Sequence, residues 1–169
     1  QWIGAVSRSG GILQVVSTHY TGTFSTASTT PSNVTGFSAT ITPSSTSSKI
    51  LVMFQSNVGY SANDNYPYFL MDRNGTSIGT GVAGTGVQIN TFASVSNLSA
   101  DAISTEVYKR QSVSRSYVDS PASTSSLTYQ VQFAEGHAGT SYVNRTHYAG
   151  NTAYVQFPGS DLILMEVAG

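Results

Sequence analysis

The sequence contains no cysteine, and only 9% of its 169 residues are charged. The first absence removes disulfides and Cys-ligated zinc, so a domain built from this chain must be held by its core, or by its core and a neighbour. The second stands well below the roughly 25% of an average soluble domain. Seven Lys and Arg against eight Asp and Glu leave a formal charge of −1 and a pI near 6.3. A nucleic-acid partner needs a basic stripe to neutralise phosphates, and this balance supplies none. It argues equally against anionic membrane surfaces. No apolar run approaches the ~20 residues that span a bilayer, so membrane insertion is not expected. The opening "QWIGAVSRSGG" lacks the basic region and apolar stretch of a signal peptide. Residues 1–11 therefore read as a tether or anchor arm, and 12–169 as one domain.

What the chain does have is hydroxyl and β-branched residues. Ser and Thr supply roughly a quarter of it, yet hydrophobic residues reach 39% and aromatics 11%, which excludes a disordered composition. Thr, Tyr, Val and Ile suit pleated surfaces, while Ser and Gly suit turns. The apolar period is two. In "FSATITP", Phe37, Ala39 and Ile41 share a face; in "LTYQVQF", Leu127, Tyr129, Val131 and Phe133 do. "KILVMF" (49–54) and "DLILMEV" (161–167) are continuous apolar runs, expected in strands covered on both faces by a second sheet or a neighbouring subunit. Turn residues cluster at 42–48, 61–67, 73–76, 118–123 and 157–160, with Asn74-Gly75 the strongest hairpin signal. The stretch 98–110 is ambiguous. These patterns predict an all-β, antiparallel jelly-roll β-sandwich whose scarcely charged edges are covered by neighbouring subunits.

Seven stretches carry a resemblance beyond this physics: "GILQVVS" (11–17), "TFSTAST" (23–29), "ITPSSTSSKILV" (41–52), "LMDRNGTSIG" (70–79), "SYVDSPASTSSLTYQVQ" (116–132), "YVNR" (142–145) and "LILMEVAG" (162–169). In this order they resemble a fibre-like or structural module of virion proteins in tailed bacteriophages, notably aquatic and marine ones. The resemblance implies a virion surface protein, assembled in the bacterial cytoplasm, with a trimeric jelly roll like those of fibre heads and C1q/TNF-type domains. Its partners would be a fibre shaft or capsid shell and a host surface glycan or protein. It assigns no functional residue, and segments 57–66 and 80–112 lie outside it.

Two stretches offer recognition chemistry. In "GYSANDNYPYF" (59–69), Tyr60, Tyr66 and Tyr68 present faces for sugar rings, while Asn63, Asp64 and Asn65 present hydrogen-bonding groups. The competing reading is a polar turn with its tyrosines packed at the base. The Asn63–Asn65 run also offers oxygen ligands, but one carboxylate is thin for calcium, and no metal or cofactor is expected. In "YVNRTHYAGN" (142–151), Arg145, His147 and Tyr148 suit an anionic sugar, or else a solvated hairpin end. Asn144 and Thr146 should face away from Arg145 and His147.

Enzymatic signatures are missing. There is no G-x-S-x-G elbow, the three histidines have no ligand spacing, and no two acids form a glycosidase signature. The expected function is host-receptor binding, by glycan recognition, at a fibre or spike tip. The alternative is a capsid decoration (cement) protein, which would grip the shell through Trp2 and Ile3.

Overall fold

A computed structural model describes residues 10–61, 65–82, 86–95, 108–153 and 155–169. The described residues form two antiparallel sheets with no α-helix. The strands are β1 (Ile12–Tyr20), β2 (Phe24–Thr26), β3 (Ser32–Ile41), β4 (Lys49–Tyr60), β5 (Tyr68–Arg73), β6 (Thr76–Ile78), β7 (Ala93–Ser94), β8 (Arg110–Asp119), β9 (Leu127–Ala134), β10 (Ser141–Val143) and β11 (Ser160–Val167). One sheet runs β1-β11-β4-β10-β2, with β8 on the other side of β4. β11 pairs with the first half of β4 and β10 with its last three residues, so these two lie end to end along one edge. The second sheet runs β3-β9-β5-β6, and β7 pairs the start of β5.

Alternation in the sequence becomes burial in the fold. Phe37, Ala39 and Ile41 of β3 and Leu127, Tyr129, Val131 and Phe133 of β9 are all buried, as their period of two requires. Across the sandwich they meet Ile50, Val52 and Phe54 of β4 and Leu162 and Leu164 of β11. An aromatic column joins the layers: Tyr20 stacks on Phe37 at 5.0 Å, Phe54 lies 5.9 Å from Phe37 and 5.0 Å from Phe69, and Phe133 lies 4.7 Å from Phe69. The hairpin forms at Asn74-Gly75, both at positive φ, with Asp72 accepting from the Gly75 N–H and Asn74 bridging to Thr128.

The continuous apolar runs behave differently from expectation. Within one chain, β4 and β11 are covered on one face only. Their other residues point outward: Leu51, Ile163 and Met165 are half-buried and Met53 is 38% exposed. The pairing registers align them with exposed neighbours in a row Val15–Met165–Leu51–Val118 across four strands. A row Ser17–Ile163–Met53–Ser116 runs beside it.

The sandwich has two distinct ends. Gly10 and Gly11 exchange backbone hydrogen bonds with Ala168, and Val167 pairs with Lys49, so the chain enters and β11 finishes at one end. Loops 42–48, 74–75 and 120–126 lie there too. At the opposite end Tyr60 pairs with Ser141, Gly59 with Arg110 and Tyr68 with Ala134. This gathers the 61–67, 135–140 and 144–159 connections, and we call it the loop end.

Candidate ligand-binding surface

At the terminal end, the hydroxyl run of the sequence has a structural task. Glu166 points inward from β11 and is 1% exposed, and Ser44 donates to it through its backbone N–H (2.7 Å) and Oγ (2.6 Å). Ser48 Oγ and Gln14 Nε2 complete the shell at 2.7 and 2.6 Å. Burial alone would raise its carboxyl, but these donors outweigh it and hold the pKa down at about 2. Asp119 is 4% exposed and takes both contacts of Arg73 Nη1 (2.7 and 2.6 Å) plus the Tyr129 hydroxyl (2.7 Å). Burial, then that hydrogen bond, push the Tyr129 phenol upward. Arg73 is held above its ordinary value: desolvation would lower it, and the contact with Asp119 overrides that.

The loop end begins with a third buried carboxylate. Glu135 is fully buried and accepts from Asn65 Nδ2 (2.7 Å), the Tyr66 N–H (2.6 Å), the His137 N–H (3.2 Å) and Ser141 Oγ. Asn65 also donates to the Ala138 carbonyl at 2.7 Å. These bonds pin Asn65 and Tyr66 onto the 135–140 connection. They also correct the expected recognition site, because Tyr60 (6%), Tyr68 (4%) and Asn65 (0%) are buried. Tyr68 sends its hydroxyl to the Thr29 carbonyl at 3.0 Å, and burial raises its pKa. None of the three offers a face or a group to a ligand. Only Tyr66, 50% exposed and edge-on to the His137 ring at 6.2 Å, does so among the described residues of that stretch. Its ring borders a groove of about 340 Å³ lined also by Tyr68, Val87, Ile89, Ser94 and Gly136. Asn63 and Asp64, like Trp2 and Ile3, lie outside the described residues.

The second stretch assembles more chemistry than expected. β10 stops at Val143 because Asn144 turns to φ 59°, so 144–148 is not a strand. Asn144 is buried and serves as a bolt: its Nδ2 donates to the Tyr20 and Gly22 carbonyls (2.9 and 3.0 Å), and Ser160 Oγ donates to its Oδ1 at 2.5 Å. Thr146 is also buried, donating to the Tyr148 carbonyl at 2.6 Å. The expected division of faces therefore holds, imposed by a turn instead of a pleat. The loop crosses β4 at Gly59, where a Cβ would collide with the Arg145 carbonyl.

On its outward side Arg145 lies 4.2 Å over the Tyr142 ring, whose hydroxyl bonds His147 Nδ1 at 2.8 Å. Tyr148, 43% exposed, stands edge-on to Tyr108 at 5.5 Å. Tyr142 belongs to the same sequence stretch, but the sequence alone does not set it beside Arg145. It becomes central because β10 faces the Gly59 position that the loop covers.

A third place, a depression of about 390 Å³, sits midway along the outer face of β4 and includes Met53, Gln55, Ser114, Ser116 and Asp161. His19 Nδ1 meets Asp161 Oδ1 at 2.7 Å beside it, but among the described residues no serine hydroxyl bonds this histidine. Among the described residues no three His, Asp or Glu side chains are grouped to hold a metal ion. No helix among the described residues is long and apolar enough to cross a membrane. No protein-family model and no curated protein matches the chain.

Proposed function

We propose that this chain is a virion surface protein of a tailed bacteriophage, the receptor-binding head of a fibre or spike, acting by binding a host surface glycan and not by catalysis. The observation that carries this reading is the polarity of the sandwich. The chain enters and β11 finishes at one end, while the exposed aromatic rings of Tyr66 and Tyr148 and the half-buried Arg110 and Arg145 gather at the other. Attachment to the particle through the terminal end leaves the loop end facing outward.

The finer architecture belongs to the same proposal. Strand order β1-β11-β4-β8 opposite β3-β9-β5-β6 supports a jelly roll, since sequential strands alternate between sheets through most of the chain. The outward row Val15–Met165–Leu51–Val118 supports assembly as a homotrimer. Val15 is 54% and Val118 57% exposed, and a contiguous apolar row of this kind marks an interface. Three heads on one axis would multiply weak glycan contacts by avidity.

Immunogold labelling of intact particles with an antibody against this domain tests the reading. Gold at the tail tip is the expected result. Gold over the whole head would make the chain a capsid decoration protein and reassign the terminal end to gripping the shell.

A further inference from the structure

We infer that the loop end binds a carboxylated sugar through Arg145, an inference that rests on the receptor-binding function proposed above. Arg145 is the cation with the fewest obligations in the described structure. One face of its guanidinium is taken by the Tyr142 ring, its Nε is buried without a hydrogen-bond partner, and it makes no hydrogen bond or ion pair. No described acid neutralises it, because all five are engaged elsewhere. Asp72 caps the Gly75 turn, Asp161 pairs His19, and Asp119, Glu135 and Glu166 sit in their own donor shells.

Arg110 reinforces the field. It follows Tyr142 and Gly59 in register on the outer face, and among the described residues its guanidinium meets neutral Gln156 alone, at the carbonyl (3.4 Å) and Oε1 (2.5 Å). A guanidinium stacked on a ring and stripped of partners presents its remaining N–H edge as a planar fork, the geometry that matches a carboxylate. Stacking on Tyr142 fixes that fork in advance, which lowers the ordering cost of binding.

The surroundings select a sugar over other anions. His147 uses Nδ1 on the Tyr142 hydroxyl, leaving its other nitrogen for a ligand hydroxyl. The exposed Tyr148 ring, braced by Tyr108, offers a flat face to a pyranose. A nucleic acid or polyphosphate would need several free cations in line. One fork held on an aromatic ring suits a single carboxylate on an otherwise neutral, hydroxyl-rich molecule.

The test uses the full chain, with tetragalacturonate and sialyllactose as carboxylated probes and maltotetraose as the neutral control, read by titration calorimetry and saturation-transfer NMR. Binding of the carboxylated probes alone is expected, weakening with salt. Arg145→Gln should lose about tenfold or more in affinity, as expected for a hydrogen-bonded charge, and Arg145→Lys should restore only part of it. Lys49→Gln, at the opposite end of the sandwich, should bind unchanged. If Arg145→Gln lowers the melting temperature, Tyr148→Ala carries the test, and undiminished binding by it would count against the site. Equal affinity for maltotetraose, or wild-type affinity in Arg145→Gln, would overturn the inference. So would failure of both carboxylated probes. Binding of the same chain to host cells, measured in parallel, separates the two claims. Cells bound without carboxylate dependence leave the receptor function standing, and cells not bound remove it.

Discussion

Glu166, on β11 at the terminal end, and Arg145, in the loop after β10 at the loop end, are both charged side chains, and they are treated in opposite ways. Glu166 is buried and surrounded by four donors from three residues. Arg145 is half-buried, lies on a tyrosine, and has no donor–acceptor partner among the described residues. A buried carboxylate costs several kcal/mol unless its lone pairs are filled, so the first arrangement is a structural pin. The guanidinium keeps its Nε buried and unfilled, offset in part by stacking on the Tyr142 ring, while its terminal N–H edge stays available. In a chain with so few charges, the acids lock the scaffold and the free cation is left to meet something else.

The comparison can be broken at either side. The largest effect should come from Asp119→Ala, which leaves Arg73 and the Tyr129 hydroxyl without their shared acceptor. A loss of about 3–5 kcal/mol in urea unfolding is expected, with the unfolded fraction rising and no new ligand specificity. Acid should act on the second pin. Glu166 has a folded pKa of about 2 against an ordinary 4.5, so its contribution is complete above about 4.5 and vanishes as pH falls toward 2. About 3 kcal/mol should go over that window, and Glu166→Gln should flatten that part of the pH–stability curve.

Gly59→Ala comes next, at about 1–3 kcal/mol, because its methyl meets the Arg145 backbone. It should also displace the 144–148 loop and weaken sugar binding, tying the two regions together. Leu51→Ser, on the half-buried outward row, should change stability by less than about 1 kcal/mol while shifting sedimentation from the assembled to the single-chain mass. Unchanged sedimentation would remove this row from the interface. Arg145→Gln should have the smallest effect on folding, about 0.5–1 kcal/mol for the lost stacking on Tyr142, which is what makes it a clean probe of binding.

Much of the scaffold was legible in the sequence. The inward faces of β3 and β9 followed from strict alternation, and the β5–β6 hairpin from Asn74-Gly75. Hydroxyl residues at 44–48 read only as a turn, because nothing local reveals that they close over a carboxylate more than a hundred positions away. Asn144, Asp119 and Glu166, polar letters inside the stretches that suggested a virion module, turn out to be internal fastenings. Two of the three tyrosines at 60–68 were misjudged for the same reason. Alternation in β4 and β5 places Tyr60 and Tyr68 against neighbouring elements, and a tyrosine's amphipathic shape suits a buried hydroxyl-bonded site as well as a ligand face. The Arg145–Tyr142 stack was half visible. Arg145 and His147 are separable from Asn144 and Thr146 by alternation, and Tyr142 stands in the same stretch, but its place under Arg145 depends on the pairing with Gly59 and the turn at Asn144.

The most direct measurement is adsorption competition. Host cells are saturated with the purified chain, and the rate at which intact phage is lost from the supernatant is followed. Wild-type chain should slow adsorption and Arg145→Gln chain should not, which would place the working surface at the loop end. Adsorption at the full rate in the presence of saturating wild-type chain would contradict a receptor-binding head.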